Sequence, residues 1–243
     1  MKHLMAIFFL VIAFGNSHAH STNGNFPNCI SVPHWEDPAF NHLKNEVVCY
    51  LRGSWCSEEK TRLIMDTVFV SKPEVCVEIG VYSGFSALPI AAALKHLGTG
   101  ILYAIDAWSN WVATRDMSDD DPNKAWWSQT NMPAALDQFQ TALKDWDIGS
   151  QCKIIPKPSN AAIERISEID FLHLDGNYSE ARSVEDVELY LPKVKKGGYV
   201  LFSNAHLVVN NHIPKRKALQ RLLDSCTIVD VIENCNCILV RKR

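Results

Sequence analysis

The sequence predicts a doubly wound α/β fold, built on a mostly parallel sheet whose last strand turns antiparallel. Three observations carry this. From residue 72 onward, short apolar runs alternate with runs of helical period, the order that builds parallel βαβ units. The apolar runs lack clean polar alternation, as strands covered on both faces do. The last two runs lie only a few residues apart, which suits a hairpin and is too short for a helical crossover.

The elements follow in order. SEEKTRLIMDTVFV, opened by Ser57, is a capped amphipathic helix. Strands are expected at VCVEIGV (75–81), ILYAIDAW (101–108), CKIIPKP (152–158), IDFLHLDG (169–176) and YVLFSNA (199–205). Helical patterns lie between them at Phe85–His96, Pro133–Trp146, Asn160–Ile166 and Ser179–Val194. A helix at Lys215–Ser225 leads into TIVDVIEN and NCILVRK, the closing hairpin. Residues 54–243 form the main domain, and residues 20–53, weakly periodic and rich in Pro, Asn, Trp and Cys, an N-terminal extension.

Of 243 residues, 47% are hydrophobic and 21% charged, a balance that supports a core of ordinary size. The net charge is −3, and Lys and Arg are spread out apart from short clusters such as Lys193–Lys196 and Lys215–Lys217, so no nucleic-acid footprint stands out. Residues 1–19 carry Lys2, an apolar run from Leu4 to Phe14, and then Ser17, His18 and Ala19. That is the layout of a secretory signal cleaved after Ala19, with an uncleaved anchor as the alternative. The run is shorter than the ~20 apolar residues of a spanning helix. A secreted or periplasmic location is expected, with no stable membrane anchor after cleavage.

Eight cysteines beside an export signal permit disulfides, whose pairing stays open. Cys76 falls inside a strand and reads as a free core thiol. Cys235 and Cys237 share one strand face, a poor geometry for bonding to each other. No set of Cys and His has zinc-site spacing.

In such sheets the ligand sits beyond the carboxyl ends of the strands. Those ends carry Glu78 with Gly80, Asp106, Ser159, Asp175 and Asn204. Gly80 and Gly84 are spaced G-x-x-x-G, neither a dinucleotide fingerprint nor a phosphate loop, and no G-x-S-x-G follows a strand. Nicotinamide oxidoreductase and serine hydrolase readings are therefore disfavoured. An acid ending the first strand suits an ammonium group, and one ending the second suits ribose hydroxyls. S-adenosylmethionine carries both.

VEIGVYSGFSA (77–87), YAIDAW (103–108), PSNA (158–161), FLHLDGNYSEARSVEDVELYLPKVKKGGYVLFSN (171–204) and the final hairpin stand in one order. With them the chain resembles the class I S-adenosylmethionine-dependent methyltransferases, most closely the catechol O-methyltransferase-like members, over roughly residues 54–240. The resemblance implies a Rossmann-like methyltransferase sheet. It also implies that Glu78 holds the methionine ammonium, directly or through water. Gly80, with Gly84 in the same turn, lets the backbone approach the cofactor. Tyr82 and Ser86 border its carboxylate, Asp106 accepts from the ribose, Ser159 and Asn160 lie at the adenine, and Asp175 closes the cofactor site.

In metal-dependent relatives the acids ending the fourth and fifth strands share a divalent cation, such as Mg2+, which holds the acceptor hydroxyl. Asp175 matches the first position. The second is Asn204, an amide where an acid is expected. After Asp175 the chain presents Tyr178 where relatives offer His or Lys as base; His206 and His212 are the available substitutes. His173 reads as a hydrogen-bonded core histidine. Candidate catalytic residues are thus Asp175, Tyr178 and His206, and candidate metal ligands Asp175 and Asn204, with metal-assisted and metal-free schemes both open.

Residues 109–132, with Trp111, Trp126 and Trp127 among acids, are too long for filler and read as a lid over the acceptor. The function expected is O-methylation of a small molecule or sugar. The alternative is an exported, non-catalytic protein that keeps a nucleoside-type pocket.

Overall fold

The computed structural model describes residues 37–243. The signal-peptide reading of residues 1–19 and Cys29 lie outside them. Seven strands form one sheet: β1 Val75–Ile79, β2 Ile101–Asp106, β3 Cys152–Pro156, β4 Ile169–Leu174, β5 Val194–Phe202, β6 Cys226–Ile232 and β7 Cys237–Lys242. Their order is β3-β2-β1-β4-β5-β7-β6. The first five run parallel, and β7 is antiparallel to both of its neighbours, as the short connection requires.

Alternation along each strand sends side chains to two cores. Cys76, Leu102, Ala104, Phe171 and Leu201 pack beneath α1 Pro38–Tyr50, α2 Glu58–Ser71, α3 Ala87–Leu97 and α6 Met132–Asp145. Val77, Ile79, Leu172, Val200 and Ile238 meet α7 Ser159–Ala162, α8 Glu180–Tyr190 and α9 Arg216–Leu223 on the other face. Both faces are covered, so the strands carry near-continuous apolar sequence.

Three features depart from the expected elements. The weakly periodic N-terminal segment contains helix α1, started by Pro38 and by the Asp37 side chain accepting from Phe40 N at 2.8 Å. Its one buried face, including Phe40 stacked on Phe69 at 4.2 Å, is too narrow to show as a strong period. Second, β5 begins at Val194, five residues before the expected start, because the helical pattern ends in a single 3-10 turn at Leu191–Lys193 and Gly197 takes a left-handed φ of 83° inside the strand. Third, residues 109–132 fold into two short helices, α4 Asn110–Thr114 and α5 Pro122–Gln129.

The seven cysteines among the described residues are free. No helix among the described residues is long and apolar enough to cross a membrane.

Candidate functional site

The βα turn after β1 is built from left-handed residues: Gly80 at φ 83°, Tyr82 at 52° and Gly84 at 79°. Only glycine adopts this region without cost. At Gly80 space also forbids a side chain, since a Cβ would stand 2.3 Å from the carbonyl oxygen of Asp175. The carboxyl ends of β1 and β4 therefore meet backbone to backbone. At Gly84 a Cβ would enter the ring of Phe139 on α6, so this glycine serves helix packing.

A cleft opens over the carboxyl ends of the strands. Gly80, Tyr82, Asp106, Ser159, Asn160, Asp175 and Tyr178 all line it. The sequence-predicted residues Glu78, Gly84, Ser86, Asn204 and His206 do not reach its wall.

Glu78 is fully buried under the turn, where its Oε1 accepts from Ser86 Oγ at 2.5 Å and lies 3.3 Å from His173 Nδ1. Its Oε2 is buried with no hydrogen-bond partner among the described residues. A buried carboxylate oxygen left so is costly without a donor, and an ammonium-bearing ligand is one. Asp106 accepts from Tyr82 N at 2.9 Å and Trp108 N at 2.8 Å, which fixes it at the rim. Burial raises its pKa, against those backbone N–H groups, and the residue lines the cleft. A buried anion beneath the turn and a carboxylate in the cleft lining are compatible in charge with the ammonium and hydroxyl groups of S-adenosylmethionine.

Residues not foreseen complete the wall. Asp186 on α8 accepts from Ser159 Oγ at 2.5 Å, and burial pushes its carboxyl up to about 6 against that bond. Arg182 binds Asp116 at 2.7 Å and Glu185 at 2.6 Å, tying α8 to the covering segment. Asn177 donates to the carbonyls of Val112, Ala113 and Arg115, each at 3.0 Å. The segment 109–132 is thus held over the cleft, with Trp111 and Trp127 on its inner side. Trp55 stacks on Tyr82 at 5.3 Å and meets Trp126 at 4.9 Å, an exposed aromatic cluster that adjoins the cleft-lining Tyr82.

At the β4 and β5 ends, Asp175 is flanked by positive charge. Lys60 Nζ lies 3.0 Å from its Oδ2, and Asn204 Nδ2 donates to its Oδ1 at 2.9 Å. Burial would push this carboxyl up, but Lys60, His173 and Lys215 hold it at about 2. Burial pushes the Tyr178 phenol up, and Asp175 adds to the shift, so this tyrosine is a poor base at neutral pH. His206 and His212 are exposed, outside the cleft. His173 is fully buried and shares a 2.9 Å hydrogen bond with Ser203.

Lys60 stands in register with Ile64 and Val68 on the buried face of α2. A lysine on an apolar helical stripe was the available signal.

The Mg2+ expectation meets a donor set that does not fit it. Asp175 has both oxygens engaged, Asn204 turns its amide nitrogen toward them, and among the described residues no three His, Cys, Asp or Glu are grouped to hold a metal. Hard cations need several free oxygens.

Solved structures share the fold. The O-methyltransferase NovP aligns with a TM-score of 0.62 and 15% identity, over 76% of this chain and 80% of its own. The Podospora anserina methyltransferase PaMTH1 bound to S-adenosylhomocysteine (SAH) aligns at 0.57 and 15%, over 85% and 88%. An O-methyltransferase from Bacillus cereus in complex with SAH aligns at 0.55 and 13%, over 85% and 91%. None of the curated proteins matches the chain in sequence.

Family and fold together define a methyltransferase built on the class I S-adenosylmethionine-dependent fold. The chain belongs to the methyltransferase-domain family, whose model matches residues 77–205.

Proposed function

We propose that the protein methylates a hydroxyl oxygen of a small molecule or sugar. The observation that carries this reading is the single cleft in which Gly80, Asp106 and Ser159 meet Asp175 beneath an aromatic cover. S-adenosylmethionine supplies an electrophilic methyl on a positively charged sulfur. In this reading Glu78 gives the ammonium its counter-charge from beneath the turn, held there by Ser86, Tyr82 borders the carboxylate, Asp106 takes the ribose hydroxyls, and Ser159 and Asn160 flank the adenine. The covering segment excludes water from the acceptor.

Asp175 orients the acceptor hydroxyl. The oxygen lone pair forms the new bond to the methyl carbon as the carbon–sulfur bond breaks, and the pair from that bond neutralises the sulfur. A carboxylate held at about 2 cannot ionise a hydroxyl beforehand. The methylated oxygen is a far stronger acid, so its proton passes downhill to Asp175 late in the step.

Calorimetric titration with S-adenosylmethionine and SAH, then product analysis with phenolic, aliphatic and sugar hydroxyls, tests the reading. Binding of both with methyl transfer to oxygen supports it; failure to bind either overturns it. Export is part of the proposal on the pattern of residues 1–19. N-terminal sequencing from the native source should begin at His20, and an intact Met1 in a soluble cytoplasmic fraction would contradict export.

A further inference from the structure

Lys60 stands in the first turn of α2 with a side chain only 5% exposed. Its ammonium donates to Asp175 Oδ2 at 3.0 Å and to Ser203 Oγ at 2.9 Å. The other Asp175 oxygen accepts from Asn204 Nδ2. Chemistry selects that amide orientation, because the reverse would set a carbonyl oxygen against a carboxylate oxygen. Asn204 is thereby a donor to Asp175, and its own oxygen is turned away from the position a shared cation would take. Lys215 adds a second buried ammonium, donating to the Ser203 carbonyl at 3.2 Å and lying 5.3 Å from the Tyr178 ring. A divalent ion here would meet two fixed cations and one carboxylate whose oxygens are already in use.

We infer that Lys60 is the resident cation of this site: its ammonium stands on Asp175 where a divalent metal ion would bind, and the protein works without metal. Lys60 does not line the cleft. It is a positioning residue, which balances the charge of Asp175 and fixes its carboxylate in the cleft lining. Asn204 belongs to the same arrangement, since an acid there would add a charge that Lys60 alone does not balance. For the methyl-transfer step the inference rests on the O-methyltransferase reading; the metal-binding behaviour does not.

The test titrates Mn2+ by calorimetry into wild type, N204D and K60A/N204D, and repeats SAH binding in EDTA. Wild type and N204D should show no Mn2+ binding tighter than roughly millimolar, while K60A/N204D, with the ammonium gone and a second carboxylate in place, gains roughly tenfold or more. SAH binding and any turnover of wild type should be unchanged by EDTA. A tenfold loss in EDTA, or Mn2+ binding by wild type or N204D as tight as that of K60A/N204D, overturns the inference. A K60A/N204D protein that folds and gains no Mn2+ affinity also overturns it. Should the double variant not fold, wild type and N204D decide: tight Mn2+ binding by either overturns the inference, and its absence from both supports it. Loss of methyl transfer to every acceptor would count against the O-methyltransferase reading alone.

Discussion

Lys60 Nζ and Asp175 Oδ2 lie 3.0 Å apart across 115 residues of sequence, joining the first turn of α2 to the end of β4. Replacing Lys60 by Met strands a mostly buried carboxylate, and the expected cost is about 3–5 kcal/mol of stability in urea denaturation. The double change K60M/D175N removes both charges and should cost less than the sum of the singles by roughly 1 kcal/mol or more. Strict additivity would show that the two side chains are not coupled.

Asp106→Ala should weaken SAH binding by about 1.5–3 kcal/mol, the range for hydrogen bonds to a charged group. The same carboxylate holds Tyr82 N and Trp108 N, so the melting temperature should fall as well. Calorimetry at a temperature where the variant is folded separates the two effects. Unchanged affinity would remove Asp106 from the ribose site.

Gly80 and Gly53 have nearly the same φ, 83° and 84°, but a Cβ at Gly53 meets nothing within 4 Å. Gly53→Ala should therefore cost only backbone strain, roughly 1–3 kcal/mol. Gly80→Ala adds the collision with Asp175 and should cost clearly more, with loss of SAH binding. Equal melting temperatures for the two variants would contradict the close approach of β1 and β4.

Asp186 is an acid whose folded pKa is raised from 3.8 to about 6. Below the lower value it is protonated in both folded and unfolded chains and has no penalty. As pH rises through about 6, the folded state loses stability relative to the unfolded one, by roughly 3 kcal/mol once both are ionised. Asp186→Asn keeps an acceptor for Ser159 and should be more stable than wild type at pH 8, with the gain vanishing toward pH 4. Denaturation curves across that range check the sign. A gain that is the same at both ends would show that Asp186 does not titrate abnormally.

Asn177→Ala removes the shared donor to three carbonyls of the covering segment. Limited proteolysis should then cut within residues 109–132 faster than in wild type, and bound SAH should protect less well. A cleavage rate equal to wild type would mean the segment is held by Arg182 and Asp116 instead.

The sequence by itself determined the strands, the parallel run of the first five and the antiparallel hairpin, because strand and helix periods are local and short connections restrict topology. It also placed Gly80, Tyr82, Asp106, Ser159 and Asp175 at one rim, since strand ends in a parallel sheet share a side. The shape of that rim was legible in part: the glycine spacing pointed to a tight turn, but that Gly80 admits the Asp175 backbone and Gly84 the Phe139 ring depends on elements distant in sequence. Helix α1 went unread because its buried face is narrow. Only the tertiary structure decided what surrounds Asp175. Read along the chain, Asn204 is a weakened metal ligand and Lys60 a charge in an amphipathic helix. In space Lys60 reaches Asp175 and Ser203, and Asn204 donates to the same carboxylate. The reason is physical: a side chain's charge acts through distance and burial, and neither of these follows from position along the chain.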